Sequence, residues 1–156
     1  MIDTPHITQS KAQLTAFIHV TVPRSEIQTV MGPAITEVFS VLAAQGIAPT
    51  GPWFTHHLCR PDDVFDFKAC VPVAQPVVAS GRVQPGELPA RAKVARTVYH
   101  GDYSGLGEGW GQFMKWIEEN GYASEKDLWE CYTVGPEAGP DSSVWRTELN
   151  KPLKAD

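Results

Sequence analysis

The sequence LWECYTV, residues 128–134, is the most informative stretch of the chain because it places one acid among residues that are typical of a buried strand. Its aromatic and β-branched residues, followed by a Gly-Pro turn, predict a β-strand. Side chains alternate along a strand, so Leu128, Glu130 and Tyr132 share one face. A carboxylate among apolar neighbours costs several kcal/mol to desolvate unless a partner compensates its charge. Glu130 is therefore predicted either to pair with a base such as Arg146 or to belong to a ligand site.

The first half of the chain follows the order strand, helix, strand, strand. Runs of β-branched and aromatic residues predict the strands, and apolar residues that recur every three or four positions predict the helix. A passage rich in proline and glycine follows, in which we expect a connector with one short edge strand. The predicted strands are 13–22, 53–59, 64–71 and the edge strand 73–80, the predicted helix is 27–42, and a tight connection is expected at 60–63.

The second half repeats this order, with strands predicted at 90–99, 128–134 and 143–150 and a helix whose apolar stripe runs from Tyr103 to Ile117. We interpret the repeat as an internal duplication of about 75 residues. The fold class predicted is α+β, with duplicated strand–helix–strand–strand units, a mainly antiparallel sheet, two main helices and a central ligand cleft. We expect a single domain at 14–153, preceded by an N-terminal leader at 1–13.

The composition excludes several classes of function. With 156 residues, of which 42% are hydrophobic and 20% charged, the chain has the composition of one folded domain with a core of its own. The net charge is −5, and the longest basic cluster is the alternating set Arg91, Lys93 and Arg96, so we expect no direct binding to nucleic acid. No apolar run approaches the roughly 20 residues of a membrane span, and the N-terminus lacks the features of a signal peptide. We therefore expect no membrane association and a cytoplasmic location.

The usual patterns of metal and cofactor sites are missing from the sequence. Its three cysteines are widely spaced and form no C-x-x-C pair. His56 and His57 are adjacent, so in a strand they face opposite sides and cannot hold one ion together. The glycine-rich run at 105–111 has Trp110, and then Gln112, where a dinucleotide-binding loop needs glycine or alanine. We expect neither a metal nor a cofactor.

Two glycines of that run, Gly107 and Gly111, are predicted to share one face of the second helix. Glycine inside a helix costs roughly 1 kcal/mol relative to alanine. We therefore expect that face either to pack closely against the sheet or to leave room for a bulky ligand.

Aromatic residues are the other candidates for a binding site. The chain has five tryptophans, most of which we expect in the core. A few of them beside Glu130 would suit flat lipophilic cations, since each cation–π contact contributes about 0.5–2 kcal/mol. Glu130 and Tyr132, on one strand face, also have the chemistry for acid–base catalysis and are the predicted catalytic residues if the protein is a hydrolase. The predicted ligand-binding residues are Glu130, Tyr132, Trp110, Tyr103, Trp53 and His57.

Three short motifs resemble the signatures of one family, and they occur in the expected order and spacing. Residues 100–106, HGDYSGL, resemble its H-G-x-Y-x-x-L motif at the junction of strand and helix. Residues 129–132, WECY, resemble its E-x-Y strand, and residues 145–153, WRTELNKPL, its closing T-E-x-x-x-P motif. The family is the GyrI-like (gyrase-inhibitor-like) small-molecule-binding family, which includes the effector-binding domains of AraC- and MerR-type regulators. The resemblance extends from about Leu14 to Leu153.

The resemblance implies a central cleft that takes hydrophobic, often cationic compounds, with Glu130 as the acid of the pocket and Tyr132 beside it. The leading hypothesis is a stand-alone binding domain for such compounds. Because some members hydrolyse cyclopropane-bearing alkylating toxins, the alternative is a cofactor-free hydrolase, in which Glu130 acts on water and Tyr132 or Tyr103 donates a proton. A third hypothesis, a protein-binding inhibitor of a larger enzyme, follows from the acidic charge and the family name. Since no DNA-binding domain fits before Leu14, we expect the chain not to act as a transcription factor by itself. Neither the ligand nor the oligomeric state follows from the sequence.

Overall fold

The computed structural model describes residues 1–59 and 63–154, and of Gln28 only the backbone. The chain forms two compact units. The first unit is Lys11–Ala90, and the second unit combines Met1–Ser10 with the residues from Arg91 onward. The described residues contain the strands β1 (His6–Ser10), β2 (Gln13–Pro23), β3 (Phe54–His57), β4 (Val64–Pro72), β5 (Gln84–Leu88), β6 (Arg91–His100), β7 (Leu128–Val134) and β8 (Arg146–Pro152), and the helices α1 (Ile27–Ala44) and α2 (Leu106–Glu119).

The first unit is an antiparallel sheet, in the order β3-β4-β2-β5, covered by α1. Ala69 of β4 lies opposite Thr55 of β3 on one side and Ile18 of β2 on the other. Alternate residues of the strands and the apolar stripe of α1 are buried against each other, because each element has one apolar face. Fully buried members of this core are Ala16, Ile18, Ala34, Val38, Leu42, Phe67, Ala69 and Val71.

The second unit has the same architecture, an antiparallel sheet in the order β1-β6-β8-β7 packed against α2. Leu149 of β8 lies opposite Glu130 of β7 and opposite Thr97 of β6. The stripe predicted for the helix is buried, since Trp110, Phe113 and Ile117 all belong to the core. The sheet contributes Ala95, Tyr99, Leu128 and Leu149 to the same core, and Leu153, directly after β8, joins them.

The internal duplication is visible in the topology. The order β2-α1-β3-β4 of the first unit is repeated as β6-α2-β7-β8 in the second unit, and in both the last strand lies between the other two. A single 3₁₀ turn precedes each helix, Arg24–Glu26 in one unit and Tyr103–Gly105 in the other. The predicted α+β class, with a mainly antiparallel sheet and two main helices, is therefore confirmed. The cleft between the halves stays a prediction.

Two edge strands differ from the sequence-based expectations. Residues 1–13, which we interpreted as a leader, contain β1, which pairs with β6. The edge strand expected at 73–80 lies instead at β5, where Pro85 pairs opposite Ala16. Proline is tolerated there because one side of an edge strand has no ladder hydrogen bonds to donate. The tight connection predicted at 60–63 falls mostly on residues 60–62, which lie outside the described residues.

Tyr99 of β6 explains two glycines at the start of α2. A Cβ atom at Gly109 would lie 2.8 Å from Tyr99 Cδ1, and one at Gly105 would collide with the Tyr99 hydroxyl. Gly107 and Gly111 are exposed, and a Cβ at Gly111 would meet nothing within 4 Å. Close packing of Gly107 and Gly111 against the sheet is therefore wrong, because the glycines that face Tyr99 are Gly105 and Gly109. Room for a bulky ligand beside Gly107 and Gly111 stays a prediction.

Within the described ranges 1–59 and 63–154, no helix is both long and apolar enough to cross a membrane. The same residues contain no group of three or more His, Cys, Asp or Glu side chains that could hold a metal ion.

Candidate functional site

Glu130 is buried in the second unit, with 8% of its surface exposed. Its carboxylate accepts two hydrogen bonds from neutral donors. Trp110 Nε1 donates to Oε1 at 2.8 Å, and the Tyr132 hydroxyl donates to Oε2 at 2.8 Å. Each carboxylate oxygen therefore has one protein donor, and both donors belong to side chains that are themselves buried.

Strand and helix each contribute to this arrangement. Tyr132 lies two residues after Glu130 on β7, so the period of the strand places both side chains on the face that packs against α2. Trp110 is the fifth residue of α2 and lies on the same buried stripe as Phe113, whose ring centre is 5.5 Å away. The indole has a polar N–H at its edge, so it can remain in the core only where that group finds an acceptor. Glu130 supplies this acceptor.

No base neutralises Glu130 among residues 1–59 and 63–154, where the ion pairs involve other acids. Arg146, the base considered from the sequence, donates from Nη1 to the carbonyl oxygens of Ser143 and Trp145. The register also separates the two residues, since Glu130 lies opposite Leu149. The ion pair with Arg146 is therefore excluded, and the buried carboxylate keeps its charge uncompensated when it is ionised.

Burial raises the pKa of Glu130 above the ordinary value of 4.5, while the hydrogen bonds from Tyr132 and Trp110 lower it. Removal from water penalises the charged form, and the two donors stabilise that form only in part. A positive charge placed beside the carboxylate would favour ionisation in the same way as a protein base does.

A row of aromatic rings adjoins this acid. The Tyr103 ring meets the Tyr132 ring edge-on, with 5.9 Å between the centres, and lies 5.4 Å from the ring of Trp145. Tyr103 and Trp145 are half-buried, whereas Tyr132 is buried. Burial, and then the negative charges of Glu137 and Glu130, raise the pKa of Tyr103 above its usual 10. The phenol therefore keeps its proton at neutral pH.

Glu137 and Trp145 did not emerge from the sequence as candidates. Glu137 lies in a 3₁₀ turn, Pro136–Ala138, directly after β7, and its Oε1 accepts a hydrogen bond of 2.9 Å from the Gly135 amide. Trp145 precedes β8 and donates from Nε1 to the Gly139 carbonyl oxygen at 3.2 Å. An exposed acid in a turn is usually a solvated surface group, so the pattern alone gave no signal.

The family model described as GyrI-like small molecule binding domain matches residues 3–154, which is nearly the whole chain. The chain belongs to this family. The match includes most of the segment 1–13, in agreement with the pairing of β1. No curated protein matches the GyrI-like chain.

Solved structures share its fold at low sequence identity. The C-terminal domain of EcmrR, in a crystal structure, is 22% identical with a TM-score of 0.87, and the match covers 98% of each chain. In the cryo-EM structure of the EcmrR–DNA complex, the GyrI-like chain spans 58% of the matched chain, with a TM-score of 0.86.

Two further structures are more distant. A hydrolase encoded by lin2189 from Listeria innocua is 10% identical, with a TM-score of 0.71 over 97% of this chain and 92% of that one. SAV2435 bound to tetraphenylphosphonium is 12% identical, with a TM-score of 0.65 over 98% of this chain and 95% of that one. Identities this low show a common fold only.

Direct contacts in the second unit of the GyrI-like domain thus connect four of the predicted site residues, namely Glu130, Tyr132, Trp110 and Tyr103. The other two belong to the first unit. Trp53 packs half-buried against the core of that unit, and His57 is buried with its ring centre 5.1 Å from that of Phe67. Their part in ligand binding stays a prediction.

The duplication gives the first unit a neutral counterpart of the acid and its phenol. Glu130 of β7 and Thr55 of β3 occupy equivalent positions in the two units. Glu130 lies opposite Leu149, the residue of the middle strand that also pairs with Thr97. Thr55 lies opposite Ala69, the residue of the middle strand that also pairs with Ile18. Two residues further along each strand stand Tyr132 and His57. His57 Nε2 is 3.0 Å from Thr55 Oγ1, the same pairing that Tyr132 makes with Glu130, and His57 Nδ1 has no hydrogen-bond partner among the described residues.

Proposed function

We propose that the chain binds hydrophobic organic cations and that the Glu130 carboxylate supplies the countercharge. One observation carries the proposal: Glu130 is buried, is held by two neutral donors, and has no base beside it in residues 1–59 and 63–154. A charge in such a place is stable only if something compensates it, and a cationic guest supplies that compensation. At 4 Å the attraction amounts to about 4 kcal/mol before desolvation is subtracted.

The surrounding rings favour delocalised cations over hydrated ones. Tyr132, Trp110 and Tyr103 offer aromatic surface, which attracts cations most strongly where water is excluded. A compact ammonium ion would lose more hydration energy than these contacts return, whereas a large organic cation carries little hydration. Tetraphenylphosphonium, which is bound to SAV2435 in its solved structure, is such a cation and a suitable first probe.

The test is a calorimetric titration with tetraphenylphosphonium and with the neutral triphenylphosphine oxide. We expect the wild type to prefer the cation, and Glu130→Gln to weaken cation binding at least about tenfold, which corresponds to about 1.4 kcal/mol. Glu118→Gln is the matched control, since Glu118 is an exposed acid of the same unit. Equal affinities of wild type and Glu130→Gln for the cation would exclude the proposed role.

A second candidate function is hydrolysis of a strained electrophile, and it is supported by Tyr103. Its hydroxyl makes no hydrogen bond with another described residue, and it stays protonated beside Glu130, so it can donate a proton to a leaving group. Glu130, with its raised pKa, has the character of a general base. Incubation with a cyclopropane-bearing alkylator, followed by chromatography of the ring-opened product, tests this candidate. Product formation no faster than without protein would remove it.

A further inference from the structure

The aromatic rings of the second unit form a graded row. Trp145 and Tyr103 are half-buried, with their ring centres 5.4 Å apart and their planes tilted by 34°. Tyr103 then meets the buried Tyr132, whose hydroxyl donates to Glu130. The row therefore leads from two half-buried rings to the buried Tyr132 and Glu130, and each ring contacts the next.

An exposed acid stands beside the middle of this row. The Tyr103 hydroxyl and Glu137 Oε2 both lie within 3 Å of the point that a Cβ atom at Gly135 would occupy, at 2.8 Å and 2.9 Å respectively. Glu137 is held there by the Gly135 amide, and in residues 1–59 and 63–154 no base pairs with it. A side chain at position 135 would collide with both the acid and the phenol, so this arrangement requires glycine there.

We propose that Trp145, Tyr103 and Glu137 form an outer station, at which an organic cation is held by aromatic surface and a solvated carboxylate before it reaches Glu130. The inference rests on the proposed function, because it concerns the same cation. A cation that moves from water to a buried acid loses hydration step by step. Partial countercharge and ring faces along the row replace that hydration at an intermediate point.

The outer station would act on the rate of association. A solvated charge at the rim of a site changes the rate of encounter and its salt dependence, whereas a buried partner determines the rate of dissociation. Glu137 is exposed and Glu130 is buried, so the two acids should differ in this respect. A purely structural role for Glu137 predicts a different result, namely lower stability with unchanged kinetics.

Stopped-flow quenching of tryptophan fluorescence by tetraphenylphosphonium separates these possibilities. Glu137→Gln keeps a side-chain oxygen for the Gly135 amide and removes only the charge. We expect its association rate constant to fall on the order of threefold at low salt, with the difference shrinking at high salt and the dissociation rate constant within about twofold. Glu118→Gln should match the wild type.

A second variant, Trp145→Leu, should also slow association, and it keeps the outer station testable if Glu137→Gln folds poorly. If Glu130→Gln weakens binding while Glu137→Gln and Trp145→Leu associate as fast as Glu118→Gln, the outer station is wrong and the proposed function stands. If neither wild type nor any variant binds the cation, the proposed function fails and the outer station fails with it.

Discussion

Two opposing effects determine the pKa of Glu130, and a single substitution can separate them. Burial destabilises its ionised form, and the donors Trp110 and Tyr132 stabilise it. Hydrogen bonds to charged groups contribute about 1.5–3 kcal/mol each, so the loss of one donor should destabilise the ionised form of Glu130. We predict that Tyr132→Phe raises the pKa of Glu130 further, measured by NMR titration of the carboxyl carbon. An unchanged pKa would show that water or another group replaces the phenol.

The raised pKa of Glu130 also makes stability depend on pH in a definite direction. A group that binds its proton more tightly in the folded chain stabilises the fold below its unfolded pKa, near 4.5, and this contribution is lost as pH rises through the folded value. We predict that Glu130→Gln lacks this loss, so the free energy of unfolding of the variant falls less than that of wild type between pH 4.5 and neutrality. Urea denaturation at a series of pH values measures the difference. Parallel curves would contradict it.

His57 titrates in the opposite sense. Burial, and secondarily the charge of His56, lower its pKa from 6.5 to about 4. Below pH 6.5 the unfolded chain binds a proton at this histidine that the folded chain does not bind. The contribution of His57 to the free energy of unfolding is therefore fully present above that pH and is lost towards pH 4. The loss amounts to about 3 kcal/mol. We predict that His57→Phe, whose ring can pack against Phe67 in the same place, removes this pH dependence in urea denaturation, and a curve that still falls as in wild type would contradict it.

Helix α2 contains an exposed glycine and a packed glycine, at which substitution by alanine should have opposite effects on stability. A Cβ at Gly109 would overlap Tyr99, whereas a Cβ at Gly111 would meet open space. Alanine is favoured over glycine in a helix by about 1 kcal/mol, and overpacking of a core costs about 1–3 kcal/mol. We predict that Gly111→Ala stabilises the protein and that Gly109→Ala destabilises it, in thermal unfolding of the two variants side by side. The same sign for both would mean that Tyr99 moves aside at little cost.

The elements that the sequence predicted well are those with a strong pattern and a buried face. The stripe of α2 follows from one apolar side of the helix, and β7 lies at the residues that its aromatic and β-branched composition predicted. The edge strands β1 and β5 were missed or displaced, because each is half-exposed and β5 contains a proline, so their pairing depends on a partner strand distant in sequence.

The site was predictable to the same extent. Strand alternation placed Tyr132 beside Glu130, but the bond from Trp110 joins residues 20 positions apart and depends on how α2 docks on the sheet. Periodicity cannot give that distance. Glu137 and Trp145 lie in the connection between β7 and β8, where the backbone follows no regular period. Their proximity to Tyr103 therefore depends on the path of this connection and could not be predicted from a sequence pattern.

The duplication makes the chain nearly symmetric in topology and asymmetric in chemistry. Where the second unit has Glu130 and Tyr132, the first unit has Thr55 and His57. Trp110 is the fifth residue of α2, and the fifth residue of α1 is Met31. The first unit thus keeps the packing positions and lacks both the acid and the indole donor, so at the position equivalent to Glu130 it offers a cation no countercharge.

We predict from this asymmetry that each chain binds one organic cation rather than two. Thr55 cannot ionise, and His57, with a pKa of about 4, is neutral at neutral pH and becomes positive only in acid, which would repel a cation. A calorimetric titration with tetraphenylphosphonium should therefore give one site per chain, and Glu130→Gln should weaken all of the binding instead of half. A Thr55→Ala variant, which leaves the acid in place, should retain the full stoichiometry. Two equivalent sites, or one site of undiminished affinity in Glu130→Gln, would show that the repeated half binds cations through aromatic surface alone.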